Sequence, residues 1–242
     1  MEREPVIEFR NCTKLFGGKT ILRNISFEVR EENSFTTILG KSGCGKTTIL
    51  RLLAGLEKLN EGSIYINGKI VSEGEKIIVP PHERNVGFIF QELALWPHFT
   101  VYQNIEFGLK QKKIPGYKNI LMQTIDEFGI ADLQNNFTHQ LSGGQQQLVA
   151  LARSIVLQPK ILLMDEPLSN LDVKLKTQMR RRIKQLGKEK NIAILYVTHD
   201  HKEAMEMSDK IMLLNEGAIA YYGTPEQSIY SDNIFLKDFI EL

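Results

Sequence analysis

Phe35-Thr-Thr-Ile-Leu39, then Gly40-Lys41-Ser42-Gly43-Cys44-Gly45-Lys46-Thr47, then Ile49, Leu52, Leu53 and Leu56 at i, i+3, i+4 and i+7 predict a short buried strand, a glycine-rich loop and an amphipathic helix. The loop fits G-x-x-x-x-G-K-[ST], and a strand before it and a helix after it are the context in which that pattern has a mechanism. Glycines let backbone N–H groups converge on phosphate oxygens, and the helix N-terminus adds the positive end of its dipole. Lys46 would bridge the β- and γ-phosphates of a nucleotide, the Thr47 hydroxyl would reach Mg²⁺, and Thr48 completes the candidate binding segment. A chance glycine-rich turn is the competing reading.

A second strand carries the complementary chemistry. Ile161-Leu-Leu-Met-Asp165-Glu166 is apolar on both faces and delivers two acids at its C-terminal end. Asp165 would hold Mg²⁺, often through water, leaving Glu166 to polarise an attacking water. Two acids capping the next helix is the plainer alternative.

Outward from these stretches, Val6, Ile7 and Phe9, then Ile21, Ile25, Phe27 and Val29, flank Phe16-Gly17-Gly18-Lys19 and predict antiparallel strands joined by a turn. Ser63 to Ile70 reads as another alternating pair, Gly74 to Pro81 as a turn-rich connection, and Val86 to Phe90 as a strand. From Glu92 to about Gln140, Ile105, Leu109, Ile120, Leu121, Ile125, Phe128 and Leu133 recur at helical spacing, broken by Pro115-Gly116, which predicts a mostly helical insert. Strands at Ile161–Met164, Ala193–Val197 and Lys210–Leu214 then alternate with helices at 144–157, 173–189 and 200–207, the pattern of a mainly parallel sheet.

Composition narrows the class without deciding it. The 242 residues are 42% hydrophobic and 24% charged with a net charge of +1, so no global field recruits nucleic acid or an anionic membrane. Two cysteines, Cys12 and Cys44, are too few for a disulfide framework and suit a reducing cytoplasm. No apolar signal follows Met1, and no run approaches the roughly 18 apolar residues of a spanning helix. Arg180-Arg181-Arg182 with Lys184, Lys188 and Lys190 reads as the solvated face of a helix rather than a nucleic-acid patch.

Leu141-Ser142-Gly143-Gly144-Gln145 resembles the signature motif of ABC ATPases and precedes the acidic strand as it does in that family. Ser142 hydroxyl and the Gly143 and Gly144 amides at a helix start would form a second anion site, where a serine N-cap without ligand is the alternative. The resemblance covers essentially the whole chain. Gln91 is similar to the family's glutamine lever, Ser169-Asn170-Leu171-Asp172 to its dimer-contact loop, His199 to its switch histidine, and Phe16 to the aromatic that stacks on adenine.

What the resemblance implies is ATP enclosed between two copies of the chain, the signature of one (Ser142 to Gln145) facing the phosphate loop of the other in a head-to-tail C2 pair. It implies catalytic roles for Glu166, His199 and Gln91, Mg²⁺ arranged by Thr47, Gln91 and Asp165, and a dimer contact at Asp172. The implied fold is α/β: a P-loop NTPase core with a mainly parallel sheet, an N-terminal antiparallel β subdomain and a helical insert. It would form a single domain over 1–242, with the ATP-binding core at about 1–91 and 151–242 and the helical subdomain at about 92–150. The chain departs from related importers at Lys41, where a small residue or proline is usual, and at Leu148, where a basic residue is common.

Lys46 to Ser142 spans 96 positions (142 − 46), too few for the coiled coil of chromosome-maintenance relatives, and a single signature differs from the paired cassettes of translation-linked ones. Gln91-Glu-Leu-Ala-Leu-Trp-Pro-His-Phe-Thr-Val101 resembles bacterial and archaeal importers of the sugar, polyamine, iron and oxyanion group. There Trp96, Pro97 and Phe99 would line a groove for a helix of the membrane permease, unless they form a buried aromatic turn. The expectation is therefore an ATPase at the inner face of the membrane, working with permease subunits and indirectly with a solute-binding protein. No nucleic acid is expected, and a soluble ABC ATPase acting on nucleic acid or ribosomes is the alternative. Gly223-Thr-Pro-Glu-Gln and Phe235-Leu-Lys-Asp-Phe-Ile240 lie where such importers begin a regulatory β-domain, which is not expected here.

Overall fold

Alternating apolar residues produce the expected hairpin: β1 (Ile7–Phe16) and β2 (Lys19–Val29) pair antiparallel around Gly17-Gly18, with Phe9 stacked on Phe27 at 4.6 Å between ring centroids. The structure is a computed structural model that describes residues 4–30 and 34–230; Met1 and the Phe235–Ile240 stretch lie outside them. β4 (Glu61–Ile66), β5 (Lys69–Glu73) and β6 (Lys76–Ile77) extend this first sheet in the order β2-β1-β4-β5-β6. β6 lies in the segment read from sequence as a connection, because two residues show no periodicity.

The second sheet contains β3 (Phe35–Leu39), β7 (Val86–Ile89), β8 (Ile161–Asp165), β9 (Ala193–Val197), β10 (Lys210–Asn215) and β11 (Ala218–Gly223) in the order β11-β10-β3-β9-β8-β7. Its neighbours are parallel except β10 and β11, which turn back on each other at Glu216-Gly217. β11 is half-buried and lacks clean alternation, which hid it from the sequence reading. The short helix α7 (Pro225–Ile229), opened by a Thr224 capping box, was also missed.

The remaining helices are α1 (Lys46–Ala54), α2 (Val101–Gln111), α3 (Tyr117–Glu127), α4 (Gly143–Ile155), α5 (Val173–Glu189) and α6 (His201–Met207). The helical stretch expected over about 92–150 holds α2, α3 and the first turns of α4, which runs unbroken across position 150. Every residue of β3, β8 and β9 is buried, because both faces of the sheet are covered. On one face Ile38, Leu163, Leu195 and Met212 pack with α1 and the first sheet; on the other Leu162, Met164, Ile194 and Tyr196 pack with Val101, Ile105, Leu121, Ile125 and Val149. The helical stretch and the sheet therefore share one core. Among the described residues no helix is long and apolar enough to cross a membrane.

Arg84 ties the first sheet to α1. Its guanidinium, buried and held down to about 10 by desolvation, donates to the carbonyls of Leu52, Leu53, Val71 and Val79 and to the Ser72 hydroxyl. Two of those carbonyls belong to the last turn of α1, where the Leu52 carbonyl also accepts from the C-cap Gly55 N–H at 3.1 Å. Arg84→Met would remove five hydrogen bonds made by a buried guanidinium, at a cost of about 3 kcal/mol, which corresponds to a fall of roughly 6–12 °C in melting temperature. Thermal unfolding checks this, and an unchanged midpoint would contradict it.

Candidate functional site

Parallel register brings four chain segments to one end of the second sheet. Ile38 pairs with Val197, Val197 with Asp165, and Met164 with Ile89, so the loop after β3, the acids ending β8, His199 after β9 and Gln91 after β7 emerge together. The carboxyl ends of parallel strands are where such sheets bind ligands.

The loop between β3 and α1 is close-packed. Gly40 has φ 152°, and a Cβ there would run into the Leu214 carbonyl oxygen and the Cys44 sulfur. Gly45 lies against Leu22 of β2, so the hairpin buttresses the loop from the other side. Lys46 is buried, with its Nζ donating to the carbonyls of Gly40 at 2.7 Å and Lys41 at 3.1 Å. Ser42, Gly43 and the Lys41 side chain are exposed, leaving the outer side of the loop open.

Thr47 hydroxyl donates to Asp165 Oδ1 at 3.0 Å. Burial raises the Asp165 carboxyl above its ordinary 3.8; the Thr47 hydrogen bond opposes this, and the neighbouring Glu166 adds to it. Folded Asp165 thus keeps its proton to higher pH than the unfolded chain does. Above 3.8 and up to the raised value, the unfolded chain loses that proton first and stability falls as pH rises. Asp165→Asn removes the penalty, so the ligand-free variant is expected to melt above the parent at pH 7. A lower midpoint would mean that the Thr47 contact outweighs burial.

Glu166 follows β8 in a left-handed conformation, φ 44°, which costs a non-glycine residue roughly 1–2 kcal/mol. The turn is held by its N–H donating to the Val197 carbonyl at 3.0 Å and by Ser169 Oγ donating to its carbonyl at 3.0 Å. Glu166 Oε2 meets His199 Nδ1 at 3.1 Å, and His199 is otherwise largely open to solvent. The residues on either side of His199 are fixed by a carboxylate that the sequence reading overlooked. Buried Glu203 accepts from the Thr198 and Tyr196 hydroxyls at 2.9 and 2.8 Å, and Thr198 Oγ1 accepts from the Asp200 N–H. Its only sequence signal is its place three residues after the Asp200 N-cap.

One expected site residue, Gln91, is placed differently from the reading. β7 ends at Ile89, so Gln91 does not end the strand but lies in the exposed turn beyond it, where Leu93 and Ala94 adopt positive φ and cannot continue a ladder. Phe16 closes β1 as a residue 43% exposed, and Lys14 Nζ sits 4.4 Å from its ring centroid. An exposed aromatic at the hairpin tip, on the sheet that buttresses the loop, offers a flat apolar face to a ligand.

Ser142 is the N-cap of α4 in a full capping box: Gln145 N–H donates to its hydroxyl at 3.4 Å and Ser142 N–H to Gln145 Oε1 at 2.8 Å. The Ser142 hydroxyl takes the Gln145 N–H, which leaves the amides of Gly143, exposed, and Gly144, buried, without an intrahelical acceptor. A Cβ on Gly144 would press into Leu175, whereas one on Gly143 would meet only Leu171 at an ordinary 3.6 Å. Asp172, the N-cap of α5, accepts from Leu175 N–H at 3.0 Å, so the Ser169–Asp172 loop links the Glu166 turn to the start of α5, whose Leu175 lies against Gly144 of α4. The phosphate loop opens α1, which packs against β8 and β9, whereas Ser142 opens α4, which packs against α2 and β7.

On α5 the basic residues are largely used within the chain. Arg180 meets Glu206, Arg182 donates to the Glu127 carbonyl and covers Phe128, Lys184 donates to the Glu206 carbonyl, and Lys190 pairs with Glu127 at 2.7 Å. Trp96 and Phe99 are half-buried with Pro97 and His98 exposed beside them, and Trp96 packs on Phe107 at 4.6 Å. Fully buried Asn104 ties this turn by accepting from the Trp96 N–H and donating to the Trp96, Phe99 and Thr100 carbonyls.

Residues 22–169 match the sequence profile of a family described as ABC transporter. The chain is 47% identical to the spermidine/putrescine import ATP-binding protein PotA of Acetivibrio thermocellus, over 99% of this chain and 67% of that one. It is 42% identical to the PotA protein of Haemophilus influenzae over 99% and 64%, respectively. With the trehalose/maltose import ATP-binding protein MalK of Thermococcus litoralis it shares 45% over 94% and 62%. The chain thus spans about two thirds of the length of these relatives.

Proposed function

The chain belongs to the ABC transporter family, and from that premise we propose that it hydrolyses ATP as a pair of copies and thereby drives import of a solute through a separate membrane permease. The observation that carries the reading is the convergence, at one end of a parallel sheet, of the Lys46 loop, the Thr47–Asp165 contact and the Glu166–His199 pair. The relatives are named as import ATP-binding proteins, which supports the coupling to transport.

In this proposal the amides of Gly40 to Thr48 and the Lys46 ammonium hold the triphosphate, and Phe16 stacks on adenine. Thr47, Asp165 and Gln91 offer hydroxyl, carboxylate and amide oxygens, a donor set suited to Mg²⁺. The contact between the first two, and the cost of burying Asp165 as an anion, fit a cation there. Bound Mg²⁺ would supply charge neutralisation on the phosphate oxygens. Glu166 accepts a proton from the attacking water, and His199, held against Glu166 at 3.1 Å, orients that carboxylate and faces the γ-phosphate.

Ser142, Gly143, Gly144 and Gln145 of a second copy complete the site from outside, with Asp172 at the contact between copies. The start of α4, where Gly143 is exposed and the first amides lack intrahelical acceptors, supports that arrangement. Only a triphosphate spans both surfaces, so hydrolysis releases the pair. The Trp96–Phe99 turn docks on the permease at the inner face of the membrane, and a solute-binding protein acts through that permease.

Reconstitution in proteoliposomes tests the coupling. Together with its permease, the chain is expected to hydrolyse ATP faster when the solute-loaded binding protein is added, with solute accumulating inside. If no membrane protein co-purifies and DNA or ribosomes stimulate the isolated chain instead, the importer reading fails.

A further inference from the structure

Arg153 stands alone among apolar residues near the C-terminal end of α4, between Val149, Leu151, Ala152 and Ile155, all buried. A cation in that position ordinarily reaches for the last carbonyls of its own helix or for a nearby acid. Arg153 does neither. Its Nη1 donates to the Ala94 carbonyl and its Nη2 to the Leu93 carbonyl, each at 2.7 Å, and its guanidinium carbon lies 4.9 Å from the Trp96 ring centroid. None of the ion pairs among the described residues includes it.

The receiving segment is unusual in the same place. Leu93 and Ala94 have φ of 56° and 46°, two strained residues in succession, and this conformation turns both carbonyls toward one fork of donors. Gln91 lies two and three positions upstream of them in the same turn, which closes with Leu93 N–H donating to the Phe90 carbonyl at 2.9 Å. The next residue of the helix, Ser154, reaches the Phe88 carbonyl on β7 at 3.4 Å. Burial lowers the guanidinium to about 10, so it remains a cation at neutral pH.

We propose that Arg153 is a positioning residue for Gln91: it fastens the Phe90–Trp96 turn to α4, so that Ser142 at one end of the helix and Gln91 beside the nucleotide move as one body. The inference rests on the function proposed above, in which both ends touch the triphosphate. α4 is continuous over 13 residues, and Ser142 and Arg153 are 11 positions apart (153 − 142), which is about 16 Å along a helix axis. A signature pressed against a second copy's γ-phosphate would therefore pull on the turn that carries Gln91. The same guanidinium lies on Trp96, so the displacement also reaches the turn assigned to permease docking.

Trp96 is the sole tryptophan of the chain, and its emission reports directly on the fastened turn. The test compares Arg153→Met, Arg153→Lys, Gln91→Ala and the Arg153→Met/Gln91→Ala double variant by Trp96 emission, melting temperature, kcat and KM for ATP. Arg153→Met is expected to shift Trp96 emission, to lower kcat about tenfold and to leave KM within about twofold. Lysine keeps the charge but cannot fork to two carbonyls, so it rescues kcat only in part. The double variant is expected to be no slower than Gln91→Ala, because Arg153 acts through Gln91.

Losses that multiply in the double variant, or a KM that rises while kcat holds, would overturn the assignment. If Arg153→Met does not fold, unchanged emission and kcat in Arg153→Lys overturn it equally. Should Gln91→Ala alone leave kcat unchanged, the role given to Gln91 in catalysis is what fails; an emission shift in Arg153→Met would then still establish the tether.

Discussion

Glu166→Gln is expected to hydrolyse ATP about 10³-fold more slowly than the parent while still binding it, the loss that removal of a general base produces. The substitution is nearly isosteric, and the turn that aims the side chain does not depend on it. That turn is held by the Glu166 backbone, through the Val197 carbonyl and the Ser169 hydroxyl, with the left-handed φ of 44° unchanged by an amide. An amide can still meet His199 Nδ1 but cannot take a proton from water. Blocking hydrolysis should preserve the bridging triphosphate, so a sizing column should show an ATP-dependent dimer of the variant. Turnover at the parent rate would remove Glu166 from the chemistry, and a persistent monomer would count against the bridge.

Lys46→Ala should weaken triphosphate binding by about 10³-fold, near 4 kcal/mol, since it leaves phosphate charge without its enclosed cation. In the ligand-free chain Lys46 Nζ bonds only to the carbonyls of its own loop, at Gly40 and Lys41, whereas Arg84 joins separate layers of the fold. The two variants should therefore divide cleanly. Lys46→Ala loses ligand and keeps its melting temperature within a few degrees; Arg84→Met keeps affinity at permissive temperature and melts early. Equilibrium titration with a fluorescent triphosphate analogue measures the first, and a loss of less than tenfold would place the triphosphate elsewhere.

The strand, loop and helix from Phe35 to Ala54 were legible because each step is consecutive in the chain and marked by residue type. Asp165 and Glu166 were legible for the same reason, at the end of a strand apolar on both faces. β6 and β11 were not: one is too short to show a period, and the other is half-buried on both sides. Gln91 was expected at the end of a strand, but a run of apolar residues does not reveal that the following backbone turns left-handed at Leu93 and Ala94. Arg153 escaped notice because its partners are carbonyls 59 and 60 positions away, and Glu203 because its place three residues after the Asp200 N-cap does not reveal that it is buried against the Tyr196 and Thr198 hydroxyls. Ser142 is a different case. Its capping role is local and readable, while the phosphate it is proposed to meet belongs to another copy of the chain.

Sharing of the site between two chains is tested most directly by the structure of Glu166→Gln with ATP and Mg²⁺. The γ-phosphate held on Lys46 of one copy should lie within about 3 Å of the Ser142 hydroxyl and the Gly143 and Gly144 amides of the other. A triphosphate seated on Lys46 with the α4 N-terminus of every neighbouring copy remote from it would contradict the proposal.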